Sequence, residues 1–456
     1  PRINLNDQPW RQPVEFDSMT ASLRLQQGLG KGWNFVAHAL QQRLRTNDRT
    51  AFPFGVYDPA TYLCSDWCDR YAPDGSFTYW EYISNNERRT SSALQLAING
   101  RWQTAAVQHR LEAGVLWSRQ RGRFEDQVFD IAGTGRIDGS LLTPRSAGFT
   151  DANTNRDDDS TEVFFRDAVA LGNGWQVWAG MRHTLLQRRA ERTSAADADG
   201  LRGTHYRRRA STPWLAVAHE LTSRTMLYAS WGKGLETEVA PNRSRYANAG
   251  QSLELSSRQW EIGVKHGSDA VEAGLTYFDI DRGKAIDSGS CGGPGTCVLV
   301  IDGSTRHQGV EAQGTLAVAQ WRFGASAMLL AAQRQGSAQP GMNGRRPANV
   351  PARSLRLNAD YSVAAVPGLA LHAGLVAEGD RIVLPDVSDA RIAGWSRVDL
   401  GARWRQPLGS NTLIWRLGLD NATDRRAWKE APYQFSHVYL YPLPPRTWRA
   451  SLEASF

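Results

Sequence analysis

Apolar side chains return at every second position in segment after segment of this chain, and a period of two admits extended strands while excluding amphipathic helices. Near the carboxyl terminus Trp448, Ala450, Leu452, Ala454 and Phe456 alternate with Arg449, Ser451, Glu453 and Ser455. Val398, Leu400, Ala402 and Trp404 oppose Arg397, Asp399, Arg403 and Arg405, while Leu355, Leu357, Ala359 and Tyr361 oppose Arg356, Asn358 and Asp360. The same spacing sets Trp260, Ile262 and Val264 against Gln259, Glu261 and Lys265. It also sets Met19, Ala21, Leu23 and Leu25 against Ser18, Thr20, Ser22 and Arg24, and Leu94, Leu96 and Ile98 against Gln95 and Asn99. Each strand therefore has one greasy and one polar face.

About seventeen such segments have the ten-odd residues that a tilted strand needs to cross a bilayer. Their connections alternate in length. Short ones fall at Gly30-Lys31-Gly32, Gly172-Asn173-Gly174, His266-Gly267-Ser268, Val366-Pro367-Gly368 and Leu408-Gly409-Ser410. Long ones hold Asn47 to Arg89, Gly122 to Ser160, Glu238 to Leu255, Gly283 to Ser304, Gln335 to Pro351 and Asp424 to Pro444. The predicted fold is all-β: a transmembrane antiparallel up-and-down β-barrel, apolar faces towards lipid and polar faces towards a wet or plug-filled interior. A soluble sandwich also alternates, but nothing in it calls for tight turns at one end and long loops at the other. The longest stretch free of Asp, Glu, Lys and Arg, Tyr361 to Ala377, contains Pro367 and Gly368 and is too short for a spanning helix. Counting back from the last strand makes the first, Asp17 to Leu29, descend from outside. An odd count starting there predicts strands upstream, because open edges are not tolerated in lipid. The amino terminus, Pro1-Arg2-Ile3-Asn4, has neither an initiator Met nor a secretory-signal pattern, so the chain reads as part of a longer product.

Composition narrows the function. With 17 Trp, 42 Gly and 22% charged residues, the chain has ample apolar surface to bury, which excludes disorder. The net charge of +7 would suit a nucleic-acid binder only if the cations clustered, and they are spread one or two per segment. Cys64 with Cys68 and Cys291 with Cys297 form close pairs in Gly/Asp-rich stretches, which suits disulfides in an oxidising compartment. No His stands at zinc-ligand spacing beside them, and four free thiols are the alternative. Gly-rich phosphate loops, His-Glu-x-x-His and Gly-x-Ser-x-Gly are all missing, so no catalytic constellation emerges and the chain is not read as an enzyme.

Three ordered blocks carry a family likeness: Leu227-Tyr228-Ala229-Ser230-Trp231-Gly232-Lys233-Gly234, Asn248-Ala249-Gly250-Gln251-Ser252-Leu253, and Ser257 to Lys265. The tail adds Trp415 to Arg426, then Pro445 to Leu452 and the terminal Phe456. Together they resemble the barrel of TonB-dependent siderophore receptors over essentially residues 1–456. The resemblance implies a 22-stranded barrel with an amino-terminal plug, of which the plug, the TonB box and roughly five strands would lie outside this chain. It further implies a monomer in the outer membrane of a Gram-negative bacterium, set among lipid and lipopolysaccharide. That receptor would import a ferric siderophore, energised by the TonB-ExbB-ExbD complex. The siderophore would be cargo, and no cofactor or resident metal is implied. Receptors of the same build for haem, cobalamin or a sugar, and a passive porin-like barrel, are the alternatives.

Capture of a bulky ferric chelate calls for rings and cations in the outer loops, because flat rings pack on acyl and aryl surfaces and guanidinium groups bond chelate oxygens. The first long loop offers Tyr79, Trp80 and Tyr82 with Arg88 at its descending end, and another offers Arg243, Arg245 and Tyr246. The competing role for such rings is the interfacial belt. Trp33, Trp175, Trp404, Trp415 and Trp448, on apolar faces near strand ends, are assigned to belts. The acidic run Asp151 to Glu162 lacks EF-hand spacing and reads as a solvated loop. His183, His307 and His372 read as polar groups of the lumen or rim.

Overall fold

In the computed structural model the described residues are 3–68, 70–105, 107–143, 151–194, 202–384, 390–409, 411–434 and 437–455. They form a sheet of 18 strands with antiparallel pairing. Strands that neighbour one another in chain order are β1 (Gln12–Gly30), β2 (Trp33–Pro53), β3 (Ser76–Thr104), β4 (Val107–Arg123), β5 (Thr154–Gly172) and β6 (Trp175–Arg192). They continue through β7 (Gly203–Thr222), β8 (Thr225–Val239), β9 (Ser252–Gly267), β10 (Val271–Gly289), β11 (Cys297–Val318) and β12 (Trp321–Gln335). The series ends with β13 (Arg353–Ser362), β14 (Leu369–Glu378), β15 (Trp395–Leu408), β16 (Asn411–Asp420) and β17 (Thr447–Ser455). Among the described residues the remaining strand of this sheet, Val128–Arg136, pairs only with the outer end of β3. No helix among the described residues is long and apolar enough to cross a membrane, which says nothing against crossing with strands.

The turns follow from local chemistry. Between β5 and β6, Asn173 and Gly174 both take positive φ, 49° and 78°, the geometry of a two-residue turn whose twist matches the strands it joins. Asn and Gly are the residues that occupy that region at least cost. The β1–β2 turn repeats the device at Lys31 and Gly32.

Register carries the greasy residues to one surface. Leu96 faces Val115, Val115 faces Val163, and Phe165 faces Met181 across successive ladders. These side chains are exposed, Val163 by 55% and Ile262 by 55%, so the apolar surface is the outside of the sheet and not a core. The other surface is polar: Arg182 meets Glu162 at 3.0 Å, His372 meets Asp360 at 2.9 Å, and Arg449 meets Asp420 at 2.6 Å. Trp175, Trp404 and Trp415 lie on the apolar face near the short turns, joined by Trp102 and Trp321, whereas Trp448 opens β17 at the opposite end. Among the described residues β1 pairs only with β2 and β17 only with β16, so the sheet keeps two open edges.

Three sequence expectations are corrected. Asn47 to Arg89 is not one loop, since β2 runs on to Pro53 and β3 begins at Ser76. Period two fades there because, beyond the apolar band, neither face meets lipid. The acidic run is likewise strand from Thr154, and its aspartates are engaged by arginines of adjoining strands: Asp157 with Arg123 at 2.9 Å, Asp158 with Arg188, Asp159 with Arg119. His183 is not a lumen group, since it alternates in phase with Met181 and Leu185 on the outer surface and bonds Ser211 there at 2.9 Å.

A charge inserted into the apolar band separates lipid contact from a dry core. Ile262→Arg in the full-length protein is expected to destabilise it by about 2–4 kcal/mol in denaturant titrations from lipid vesicles. Glu261→Gln, one residue away on the polar surface, is expected to cost under about 1 kcal/mol. Equal losses would contradict the assignment of faces.

Candidate functional site

Beyond the apolar band the long strands carry a cluster of rings. Register places Phe52 beside Trp80 and Phe129 beside Tyr82, so these four share one face of the β2, β3 and Val128–Arg136 ladder. Trp80 is buried at the centre, with ring centroids at 5.0 Å to Phe129, 5.5 Å to Tyr57, 5.7 Å to Phe54 and 6.1 Å to Tyr62. Tyr439 approaches Phe54 at 6.5 Å. Phe54 follows β2 and Tyr439 precedes β17, so elements near the two edges of the sheet meet across its mouth. That contact shows the sheet is rolled.

The cluster has buried and open parts. Tyr62 is 51% and Phe129 is 37% exposed, leaving two rings for a flat ligand against the buried Trp80. Among the described residues the Trp80 Nε1 has no hydrogen-bond partner. The Tyr62 hydroxyl donates to Asp130 at 2.7 Å, and that hydrogen bond, ahead of burial, pushes its pKa up. A short hairpin pairs Tyr57 with Cys64 and Gly55 with Cys68, and the Cys64–Cys68 disulfide closes its second strand.

The seven residues singled out in the sequence fall into two groups. Tyr79 lies on the face opposite Trp80, 1% exposed, with its hydroxyl donating to the Leu5 carbonyl at 2.7 Å and its ring 4.7 Å from Phe77. Tyr82 is half-buried and donates to Gln127 Oε1 at 3.4 Å. Arg88 is exposed, bonds Asn86 at 3.1 Å, and alternates in phase with Leu94 and Leu96 on the outer surface. In the second group Tyr246 is 4% exposed, packed with Ala240, Leu255, Ala285, Cys297 and Leu299, and its hydroxyl donates to Asp287 at 2.8 Å. Burial, then the Asp287 contact, raises the Tyr246 pKa. Arg245 sits over the Tyr246 ring at 5.1 Å, and Arg243 is 3.6 Å from Asp151. The Cys291–Cys297 disulfide joins this small core.

Gln127 and Asp151 join the groups. They exchange backbone hydrogen bonds at 2.9 and 3.1 Å, so Tyr82 connects through Gln127 and Asp151 to Arg243. Sequence reading missed Phe52, Phe54, Tyr57, Tyr62, Phe129 and Tyr439. The run Phe52-Pro53-Phe54-Gly55-Val56-Tyr57 was a usable signal, whereas the approach of Tyr439 is a long-range product of rolling. Below the mouth, the polar surface of the last strands borders a hollow of 1530 Å³ lined by His372, Arg397, Asp399, Arg403, Asp420 and Arg449 among others.

A rolled antiparallel sheet with a lipid-type exterior, a charged interior and a braced, ring-lined mouth defines a membrane-spanning barrel of the receptor type. A sequence model described as TonB dependent receptor-like, beta-barrel matches residues 1–422, and the chain belongs to that family. The ferrichrome receptor FcuA of Yersinia enterocolitica is 27% identical over 257 residues, 54% of this chain and 32% of that protein. The fold matches the ferric preacinetobactin receptor BauA of Acinetobacter baumannii with TM-score 0.77 at 17% identity, covering 97% of this chain and 63% of that one. It matches the ferric-catecholate import receptor Fiu of E. coli K12 with TM-score 0.77 at 14% identity, covering 97% and 64%. These relatives are transport receptors and not enzymes. The chain thus spans about a third of the curated relative and under two thirds of these solved receptors.

A buried ion pair at the outer part of β11 gives a pH test. Asp302 is buried with Arg334 at 2.7 Å and accepts from Ser337 Oγ at 2.6 Å and Ala338 N–H at 2.8 Å. Burial pushes its pKa up, but the Ser337, Ala338 and Arg334 contacts together hold it below the ordinary 3.8. The stabilisation is full above the unfolded value and is lost as pH falls through the lower folded one. Hydrogen exchange at Ala338, corrected for intrinsic rate, is expected to stay slow at pH 5 and accelerate below about pH 3.8, the ordinary carboxylate value. Asp302→Asn is expected to abolish that acid dependence, and an unchanged profile would contradict it.

Proposed function

We propose that the whole protein is an active importer of a ferric siderophore across the outer membrane of a Gram-negative bacterium. The observation that carries this is the ring cluster at the mouth of a charged lumen, in a chain of the TonB-dependent receptor family. Trp80, with Tyr62 and Phe129, supplies flat surface for the chelate, and Tyr82 closes one side. Arg243 and Arg245 supply cations near chelate oxygens, while Tyr79 and Tyr246 hold the two walls in place from behind. Arg88 belongs to the outer surface and is assigned no cargo contact. Energy comes from the TonB-ExbB-ExbD complex acting on segments beyond this chain, and the receptor works as a monomer.

The ferrichrome receptor, ferric preacinetobactin receptor and ferric-catecholate receptor among the relatives support an iron chelate over haem, cobalamin or a sugar. The test is radio-iron uptake by an iron-starved deletion strain carrying the full-length gene, supplied in turn with hydroxamate, catecholate and citrate chelates. At least one is expected to be restored. Tyr62→Ala with Phe129→Ala is expected to raise its half-saturation concentration about tenfold at unchanged surface level. Uptake that is the same with and without the gene for every chelate would refute the proposal, and steady conductance of the complete protein in planar bilayers would mark a passive pore.

A further inference from the structure

The ring wall at the mouth is acidic in a chain that is basic. From Asp48 to Glu87, the stretch that supplies Phe52, Phe54, Tyr57, Tyr62 and Trp80, there are seven Asp and Glu against Arg49 and Arg70, a net charge of −5, while the whole chain carries +7. Carboxylates around the rings are met by neutral donors. Asp48 on β2 accepts from the Thr50 hydroxyl, Glu125 from the Asn86 amide at 2.6 Å, and Asp126 from the hydroxyls of Thr193 and Ser194. Hydroxyls and amides satisfy a carboxylate but leave its charge in place. Tyr82 registers the field: burial raises its pKa most, the Ser84 side chain lowers it, the charges of Glu87 and Asp48 raise it, and Arg89 lowers it.

Arginines of the mouth, by contrast, are matched by carboxylates. Arg89 lies 2.8 Å from Glu87, Arg188 meets Asp158, Arg243 is 3.6 Å from Asp151, and Arg346 and Arg391 share Asp380 at 2.7 and 3.1 Å. Among the described residues Arg49 and Arg156 meet no carboxylate, but Arg49 donates to Asn85 at 2.9 Å and to Gln12, and Arg156 lies over the Phe124 ring at 5.9 Å. At the centre of the wall Trp80, 6% exposed, holds an indole N–H that meets no acceptor among the described residues, with Tyr62 and Phe129 exposed beside it. A buried donor without a partner is costly, and an oxygen of a bound ligand relieves that cost.

We propose that this wall selects a ferric chelate with no net charge, of the tris-hydroxamate class, and rejects the anionic tris-catecholate and citrate chelates. Three hydroxamates cancel the charge of one ferric ion, whereas three catecholates leave the complex strongly anionic. An anionic complex would bring its charge up to Asp48, Glu125 and Asp126 where few cations are uncommitted, and like charges set face to face discriminate against the wrong ligand. A neutral chelate meets no such barrier. Its apolar backbone packs on Tyr62 and Phe129, and its oxygens accept from Trp80 Nε1 and from Arg243 and Arg245 without drawing Arg243 away from Asp151. The inference rests on the import reading above and names the cargo class of that same site.

The test titrates the purified full-length receptor in detergent with ferric chelates and follows tryptophan fluorescence. The probes are a panel of neutral tris-hydroxamate chelates of differing backbone, a tris-catecholate chelate and ferric citrate. At low salt the tightest hydroxamate chelate is expected to bind about tenfold or more tightly than either anionic chelate. Raising the salt is expected to narrow that gap by strengthening the binding of the anionic chelates, because screening weakens repulsion. Asp48→Asn with Glu125→Gln and Asp126→Asn, checked for an unchanged unfolding temperature, is expected to tighten the tris-catecholate about tenfold and to leave the hydroxamate within about twofold. The salt series decides the matter even if that variant does not fold. An anionic chelate bound as tightly as the best hydroxamate, or one whose binding weakens with salt, would overturn the charge assignment and leave import standing. Binding of no ferric chelate at all, with uptake unaffected by the gene, would overturn the import reading and this inference together.

Discussion

Inside a bilayer a backbone N–H or C=O has no water to bond, so each strand must find its partners in the next. This lateral pairing is the constraint on which the rest of the molecule depends. From β1 to β17 successive antiparallel neighbours meet it, and among the described residues the outer edges of β1 and β17 alone in this ladder are left without a partner strand. Because pairing is lateral, side chains are left free to sort by face. Leu96, Val115 and Val163 then line one surface while Glu162 and Arg182 line the other. Two-residue turns such as Asn173-Gly174 keep adjacent strands in register at one end. At the other end the strands outgrow the apolar band and become scaffolding for the mouth.

The mouth is built by a different physics. There the strands stand in water, and stability comes from small local cores and buried polar braces. Tyr246 with Cys297 and Leu299 forms one such core, and Asp302 with Arg334, Ser337 and Ala338 forms one such brace. Trp80 anchors a third unit, in which rings from β2, β3 and two connections converge. A buried carboxylate satisfied by Arg, Ser and a backbone N–H is costly to disturb, because removing one partner leaves a desolvated charge. In the third unit Tyr62 and Phe129 stay exposed while Trp80 behind them is buried. A preorganised wall of this kind loses little conformational entropy on meeting a flat ligand.

Sheet, faces and turn asymmetry were legible because lipid imposes them residue by residue, as at Trp448, Ala450, Leu452 and Ala454. The two disulfides were legible from proximity in sequence, and Cys64–Cys68 and Cys291–Cys297 are both formed. The mouth was not readable in the same way. Where both faces of β3 are wet or packed on loops, alternation no longer reports orientation. Tyr79 and Trp80, adjacent in sequence, thus point to different neighbours, the Leu5 carbonyl and the Phe129 ring. Asp157, Asp158 and Asp159 looked like loop because charge density hid a strand whose arginine partners come from β4 and β6. Tyr439 reaches Phe54 only because the sheet rolls, which no local pattern encodes.

The account turns on which surface of the sheet meets lipid. Spin labels placed one at a time at Leu275, Thr276 and Tyr277 on β10 of the complete protein in lipid vesicles test it most directly. Collision with oxygen, which concentrates in the bilayer, is expected to be high at Leu275 and Tyr277 and low at Thr276, with a water-soluble nickel complex giving the reverse. Labels at Leu275 and Tyr277 shielded from both reagents would mean a dry core between packed layers, and would contradict the membrane barrel.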